Sequence, residues 1–193
     1  MTVWLRRCRS FAEEAEADRE FWTRFSPDER VAMVEQMRRE WMEKNGQRDE
    51  GLRRTARLLE TARVRFVVVG AHALAYHAKP RYTKDFDLFL QADPMNGERV
   101  VAALEEFGFG GLGIVPEDFA STGRILQLGV PPNRIDLMTS IDGVDFEEVW
   151  STRVEGAYGG QIVPFIGKAA LIKNKTASRR PQDLADLELL RNS

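Results

Sequence analysis

Asp85 and Asp87 stand one residue apart in the run Lys84-Asp85-Phe86-Asp87-Leu88-Phe89-Leu90. Alternate side chains on a strand point to the same side, so the two carboxylates share one face while Phe86, Leu88 and Leu90 turn the other toward a core. Two acids side by side repel each other and suit a strand poorly; a cation between them relieves the repulsion. Hard divalent ions such as magnesium take a few carboxylate oxygens on one rigid edge, with water and phosphate completing the shell. A third acid, Asp136, lies in the apolar run Arg134-Ile135-Asp136-Leu137-Met138, where Arg134, two positions earlier on the same face, is a competing partner for it. Upstream, Val67-Val68-Val69 ends at Gly70. With no Cβ, that glycine permits close backbone approach to a phosphate, and the helix after it opens with free N–H groups. Three strand carboxylates and a glycine turn point to metal-assisted phosphoryl or nucleotidyl transfer.

The remaining polar residues near these motifs have two readings each. Arg81, Thr83 and Lys84 can hold a triphosphate or order the loop before the acidic pair. Lys175 lies on a helix with Lys168 and Lys173, where basic groups neutralise phosphate charge or form a solvated face. His72 and His77 are the only histidines. Their five-residue separation is not the i, i+4 spacing of a helical zinc pair, so both read as packing or hydrogen-bonding residues.

These groups need elements to carry them. Ser26-Pro27-Asp28-Glu29 is a helix start, with serine at the N-cap, proline at the first position and glutamate three residues after the serine. The helix continues with an apolar stripe of Val31, Val34, Met37 and Trp41, and Gly46 is a C-terminal stop. A second helix spans 52–62, with Leu52, Ala56 and Leu59 on one side. Arg53, Arg54 and Arg57 lie elsewhere on it and Arg63 follows it, forming a solvated face or, in the minority reading, an RNA-facing one. From residue 65 strands alternate with helices. Strands are expected over 65–69, 84–90, 124–130 and 134–139, the last two joined at Pro131-Pro132-Asn133. Helices are expected over 97–107, 145–150, 168–176 and 181–190. Gly108, Gly110, Gly111 and Gly113 make a turn-rich stretch, and Gly159-Gly160 a hairpin. The fold class is α/β (α+β): a small mixed sheet bearing the acids, flanked by helices. A helical N-terminal extension over 1–63 precedes this domain at 64–193.

At 193 residues, 43% hydrophobic and 30% charged, the chain fits a soluble globular protein with one real core. Its net charge of -2 argues against a basic coat for DNA and leaves room for a local RNA groove. No apolar run is long enough to span a bilayer, and the N-terminus turns acidic before a signal-peptide core could form. A single cysteine, Cys8, makes no internal disulfide, which points to a reducing cytoplasm.

The combination resembles the nucleotidyltransferases of the DNA polymerase beta superfamily, and within it the minimal bacterial AbiEii-type members known as toxins of toxin–antitoxin and phage-defence systems. The matching pieces are Val69-Gly70-Ala71, Arg81 to Leu88, Arg134-Ile135-Asp136-Leu137, and the tail Leu171-Ile172-Lys173-Asn174-Lys175 followed by Arg180-Pro181-Gln182-Asp183-Leu184-Ala185-Asp186. Ala71 stands where the family has a second glycine or a serine. The resemblance implies a nucleotidyltransferase-like fold and transfer of an NMP from an NTP to a hydroxyl of RNA (tRNA in particular) or protein. Asp85, Asp87 and Asp136 would be catalytic and bind two magnesium ions, with manganese as an alternative. Gly70, Ala71, Arg81, Thr83, Lys84, Lys175 and Asp183 would hold the nucleotide, Lys175 and Asp183 being the lysine and acid of the family's tail motif. An antitoxin partner is implied, a homodimer is compatible, and no membrane is involved. The region 10–41 resembles short helical proteins encoded beside such transferases, which would make it a fused regulatory segment. The alternative function is a non-catalytic nucleotide-binding or regulatory module with the same fold.

Overall fold

Ser26 starts the first helix, α1 (Pro27–Lys44), through a reciprocal cap. Its hydroxyl accepts the Glu29 N–H at 3.3 Å, and the Glu29 carboxylate accepts the Ser26 N–H at 2.7 Å. The structure, a computed structural model, describes residues 16, 19–45, 52–130 and 133–193. The expected helix stop at Gly46, the Pro131-Pro132 turn, Cys8 and the start of the region at Ser10 lie outside the described residues.

The buried side of α1 differs from the expected stripe. Val31 and Val34 are buried, but the face continues through Glu35, Arg38 and Met42, leaving Met37 half-buried and Trp41 36% exposed. Two charged residues take core positions because they satisfy each other and their neighbours. Arg38 Nε donates to Glu35 Oε1 at 3.1 Å, Glu35 Oε1 lies 3.2 Å from His72 Nε2, and Arg38 Nη1 donates to Asn133 Oδ1 at 2.7 Å. Burial alone would push the Glu35 carboxyl up, but His72 and Arg38 outweigh it and bring it down to about 2. The second helix, α2 (Leu52–Thr61), buries Ala56, Leu58 and Leu59. Its Arg57 is exposed, whereas Arg54 donates to the Glu106 carbonyl at 3.0 Å and lies over the Phe107 ring.

The rest of the chain runs β1 (Phe66–Val68), α3 (Gly70–His77), β2 (Asp85–Leu90), α4 (Pro94–Leu104), β3 (Ile125–Leu128), β4 (Arg134–Met138), α5 (Phe146–Ser151), β5 (Val154–Tyr158), β6 (Gln161–Phe165), α6 (Lys168–Ser178) and α7 (Pro181–Arg191). Helix α4 begins three residues before the expected Gly97. The Asp93 carboxylate caps it by accepting the Asn96 N–H at 3.0 Å, and Pro94 supplies the preset first position. It passes at Leu104 into a π-helical turn over Glu105–Phe109, within which Gly108 has φ +112°.

The six strands form one open mixed sheet in the order β3-β4-β2-β1-β6-β5, with helices flanking it. Its centre decides where the acids meet. β2 and β4 are parallel neighbours, paired Asp85 to Arg134, Phe86 to Ile135 and Asp87 to Asp136. Parallel neighbours require a crossover, here α4 and β3 between β2 and β4. β5 and β6 form the hairpin expected at Gly159-Gly160. Phe66, Val68, Phe86, Leu88, Leu90 and Phe165 from the strands share one apolar core with Leu74, Val100, Leu171 and Leu190 from the later helices, and with Val31 and Val34 from α1. Among the described residues, no helix is long and apolar enough to cross a membrane.

Candidate metal centre

Asp87 and Asp136 lie side by side on adjacent strands and therefore project from one face of the sheet, with Asp85 two positions earlier on that face. One carboxylate oxygen from each of the three lies within 4.8 Å of the others. Gly70 closes the site from the strand beside β2. The Val69 N–H donates to the Asp87 carbonyl at 3.0 Å, extending the β1–β2 pairing, and the chain then turns into α3 at Gly70 with φ +62°. A Cβ on Gly70 would overlap Asp87 Oδ2. Glycine is thus required there twice, for its backbone angle and for room beside the carboxylate.

The three acids have different partners. Asp85 Oδ1 accepts from Thr83 Oγ1 at 2.6 Å, and Asp85 Oδ2 from Arg134 Nη2 at 2.6 Å. Asp136 receives the Arg134 fork, Nε to Oδ1 at 2.8 Å and Nη2 to Oδ2 at 2.9 Å, and Gln127 Nε2 from the edge strand at 3.3 and 3.2 Å. Arg134 thus takes up the pairing with Asp136 that the sequence leaves open. Among the described residues, Asp87 receives no hydrogen bond on its carboxylate. Burial, then the charges of Asp85 and Asp136, push its carboxyl up to about 7 against the opposing pull of Arg134 and Arg81. Three hard oxygen donors that converge, one of them hard to ionise because it is buried beside two other acids, fit a divalent ion. The triad can hold magnesium or manganese, as a metal-dependent enzyme would require.

A second ionic cluster lies across the same cleft. Lys175 is buried on α6 and donates to Asp183 Oδ1 at 2.9 Å and to Asp186 Oδ2 at 2.6 Å, both acids being on α7. Arg81 grips Asp186 with both arms, each at 3.1 Å, and Ser178 Oγ donates to Asp183 Oδ2. Burial raises both carboxyls. Ser178 and Lys175 more than offset this at Asp183, as do Arg81 and Lys175 at Asp186, so both lie below the ordinary aspartate range. Asp186 is fully buried and anchors two of the expected nucleotide-binding cations, a role the sequence pattern does not assign to it. The signal was its i, i+3 relation to Asp183 on a helix following a lysine-bearing one.

The cleft between the two clusters measures about 540 Å³ and collects every residue expected at the site: Asp85, Asp87 and Asp136, Gly70 and Ala71, Arg81, Thr83 and Lys84, and Lys175 with Asp183. It also takes in Tyr82, Ile125, Gln127, Met138, Arg180 and Gln182. Met138 follows Asp136 by two positions on the same face of β4, whereas Ile125 and Gln127 reach the cleft because β3 pairs with β4 beyond the acids, a neighbour relation with no local signature. Lys168 and Lys173 point elsewhere, to the Ser193 carbonyl and to Glu148. Both histidines are structural. His72 is buried against Glu35 and edge-on to Phe86, and His77 Nε2 lies 2.6 Å from the Ile166 carbonyl. Searches for known likenesses returned neither a matching family model nor a matching curated protein.

Proposed function

We propose that the chain is a metal-dependent nucleotidyltransferase that moves an NMP from an NTP to an acceptor hydroxyl of RNA or protein, akin to the AbiEii-type toxins. The observation that carries this is the in-register pairing of Asp87 with Asp136, which gathers three carboxylates beside a glycine turn in a cleft rimmed by cations. Divalent ions held there would stabilise charge on the entering and leaving oxygens of an in-line displacement. Asp85, Asp87 and Asp136 would be the ligands, with Asp87 ionised when it serves as one. The N–H groups that open α3 at Gly70 and Ala71 border the cleft and would receive a phosphate. Lys84 and Arg180 are exposed on the cleft and form no close ion pair among the described residues, so they are placed to meet the triphosphate directly. Lys175 and Arg81 act through Asp186, which holds both in position. The chemistry would be mostly alignment and charge stabilisation.

Incubation with each labelled NTP, magnesium and total cellular RNA or protein tests this reading. Label should enter one acceptor pool, and only with metal and all three aspartates present. Metal-dependent nucleotide binding without transfer to any pool would instead support the regulatory module. One observation favours that second reading: in this structure Arg134, Lys175 and Arg81 are all committed to carboxylates.

A further inference from the structure

Asp136 is saturated. A carboxylate offers about four lone-pair positions, and here each of its oxygens accepts one bond from Arg134 and one from Gln127. Asp85 has one oxygen on Thr83 and the other on Arg134. Of the three, Asp87 is the one whose carboxylate accepts no hydrogen bond from the described residues. A metal ion joining all three acids therefore meets a guanidinium already in place, bearing a positive charge at the position where the ion's own charge must go.

We propose that Arg134 is the resident counter-cation of the triad, and that a divalent ion loads the site by displacing the Arg134 guanidinium from Asp85 and Asp136. This rests on the metal-site reading above and adds a specific order of exchange. The side chain suits the role: it is 27% exposed and borders the cleft, so it can leave without uncovering core. Its planar fork matches Asp136 in a way that a lysine cannot reproduce. No bond is made or broken covalently; one cation replaces another on the same oxygens. Arg134 thereby sets how much divalent ion the site needs before it fills, and it keeps the acids from repelling one another until then.

The test is manganese binding to the full chain without nucleotide, read from the electron paramagnetic resonance signal of free Mn2+. The measurement is made at about pH 8.5, above the value of about 7 to which the Asp87 carboxyl is raised. Removing a unit charge a few ångströms from the ion should tighten binding in Arg134→Gln by about tenfold or more. Arg134→Lys, which keeps the charge and loses the fork, should stay nearer the parent. In the parent, magnesium titration should move the Arg134 Nε–H resonance away from its hydrogen-bonded position and speed its exchange with solvent. That measurement decides the matter even where Arg134→Gln does not fold. Weaker or equal manganese binding by a folded Arg134→Gln, or an Nε–H resonance indifferent to saturating magnesium, would make Arg134 an orienting residue that stays on the acids and would overturn the exchange alone. If neither parent nor variant binds manganese, the metal site falls and the exchange with it.

Discussion

Asp87 is the residue whose environment makes the most specific demand. Its carboxyl is raised to about 7 by burial and by Asp85 and Asp136, whereas in an unfolded chain it would ionise near the ordinary aspartate value of about 4. Between those values the folded protein holds a proton that the unfolded chain lacks. Stability of the metal-free protein should therefore fall as pH rises through that window and level off above it. The effect should be about 2 kcal/mol, less than the full linkage value because the group reaches the solvent of the cleft. Thermal melts in EDTA across this range check it: Asp87→Asn should flatten the pH dependence and melt above the parent at neutral pH. A parent-like slope in Asp87→Asn would assign the dependence to another group. Asp85→Asn should show no such gain, because it removes an ion-pair partner of Arg134. On the proposed function both variants should lose transfer activity, since each removes a carboxylate of the candidate metal triad.

The elements explain how these residues come together and how far that was visible beforehand. Alternation along β2 revealed that Asp85 and Asp87 share a face, because a period of two is written in six consecutive residues. Asp136 reads as a third acid from its place inside an apolar strand, but its in-register pairing with Asp87 has no sequence signature. Parallel pairing of β2 with β4 depends on an intervening crossover of more than forty residues, and no local pattern records it. The start of α4 is written in Asp93-Pro94, upstream of the apolar run that dominates the pattern. Gly70 was read as a phosphate turn, and the structure adds its contact with Asp87. Gly70→Ala should accordingly cost about 1–3 kcal/mol from backbone strain and overlap, and it should also weaken manganese binding. A variant with parental melting temperature and metal affinity would show that the turn relaxes freely. On α6, Lys175 was expected to meet phosphate, but it lies between Asp183 and Asp186. Lys175→Ala should destabilise the fold by about 1–3 kcal/mol, because half-buried Asp183 loses its cation and buried Asp186 is left with Arg81 alone. Urea melts would detect this. A variant of unchanged stability with weakened nucleotide affinity would restore the direct phosphate role.

At the scale of the whole molecule, the question is what α1 does for the rest. Its buried face departs from the apolar stripe because charged residues normally face solvent, and here Glu35 and Arg38 point inward to His72 and Asn133. The same rotation ties the helix to the site-bearing elements. His72 is on α3 two residues after Gly70, and Asn133 immediately precedes Arg134. Arg30 adds bonds to the carbonyls of Ala75 at 2.9 Å and Tyr76 at 2.5 Å, and Asp28 accepts the Ala157 N–H at 2.8 Å. Deleting residues 1–48 would therefore uncover the core around Val31 and Val34 and strand a buried histidine at once. A helix that only gated the cleft would leave neither consequence. The expected outcome is aggregation or a markedly lower melting temperature, and Val34→Ala in the full chain should already cost about 1–3 kcal/mol. Thermal melts and size-exclusion chromatography of both proteins check this. A truncated protein that stays soluble, melts like the parent and transfers nucleotide faster would make α1 a regulator of the cleft.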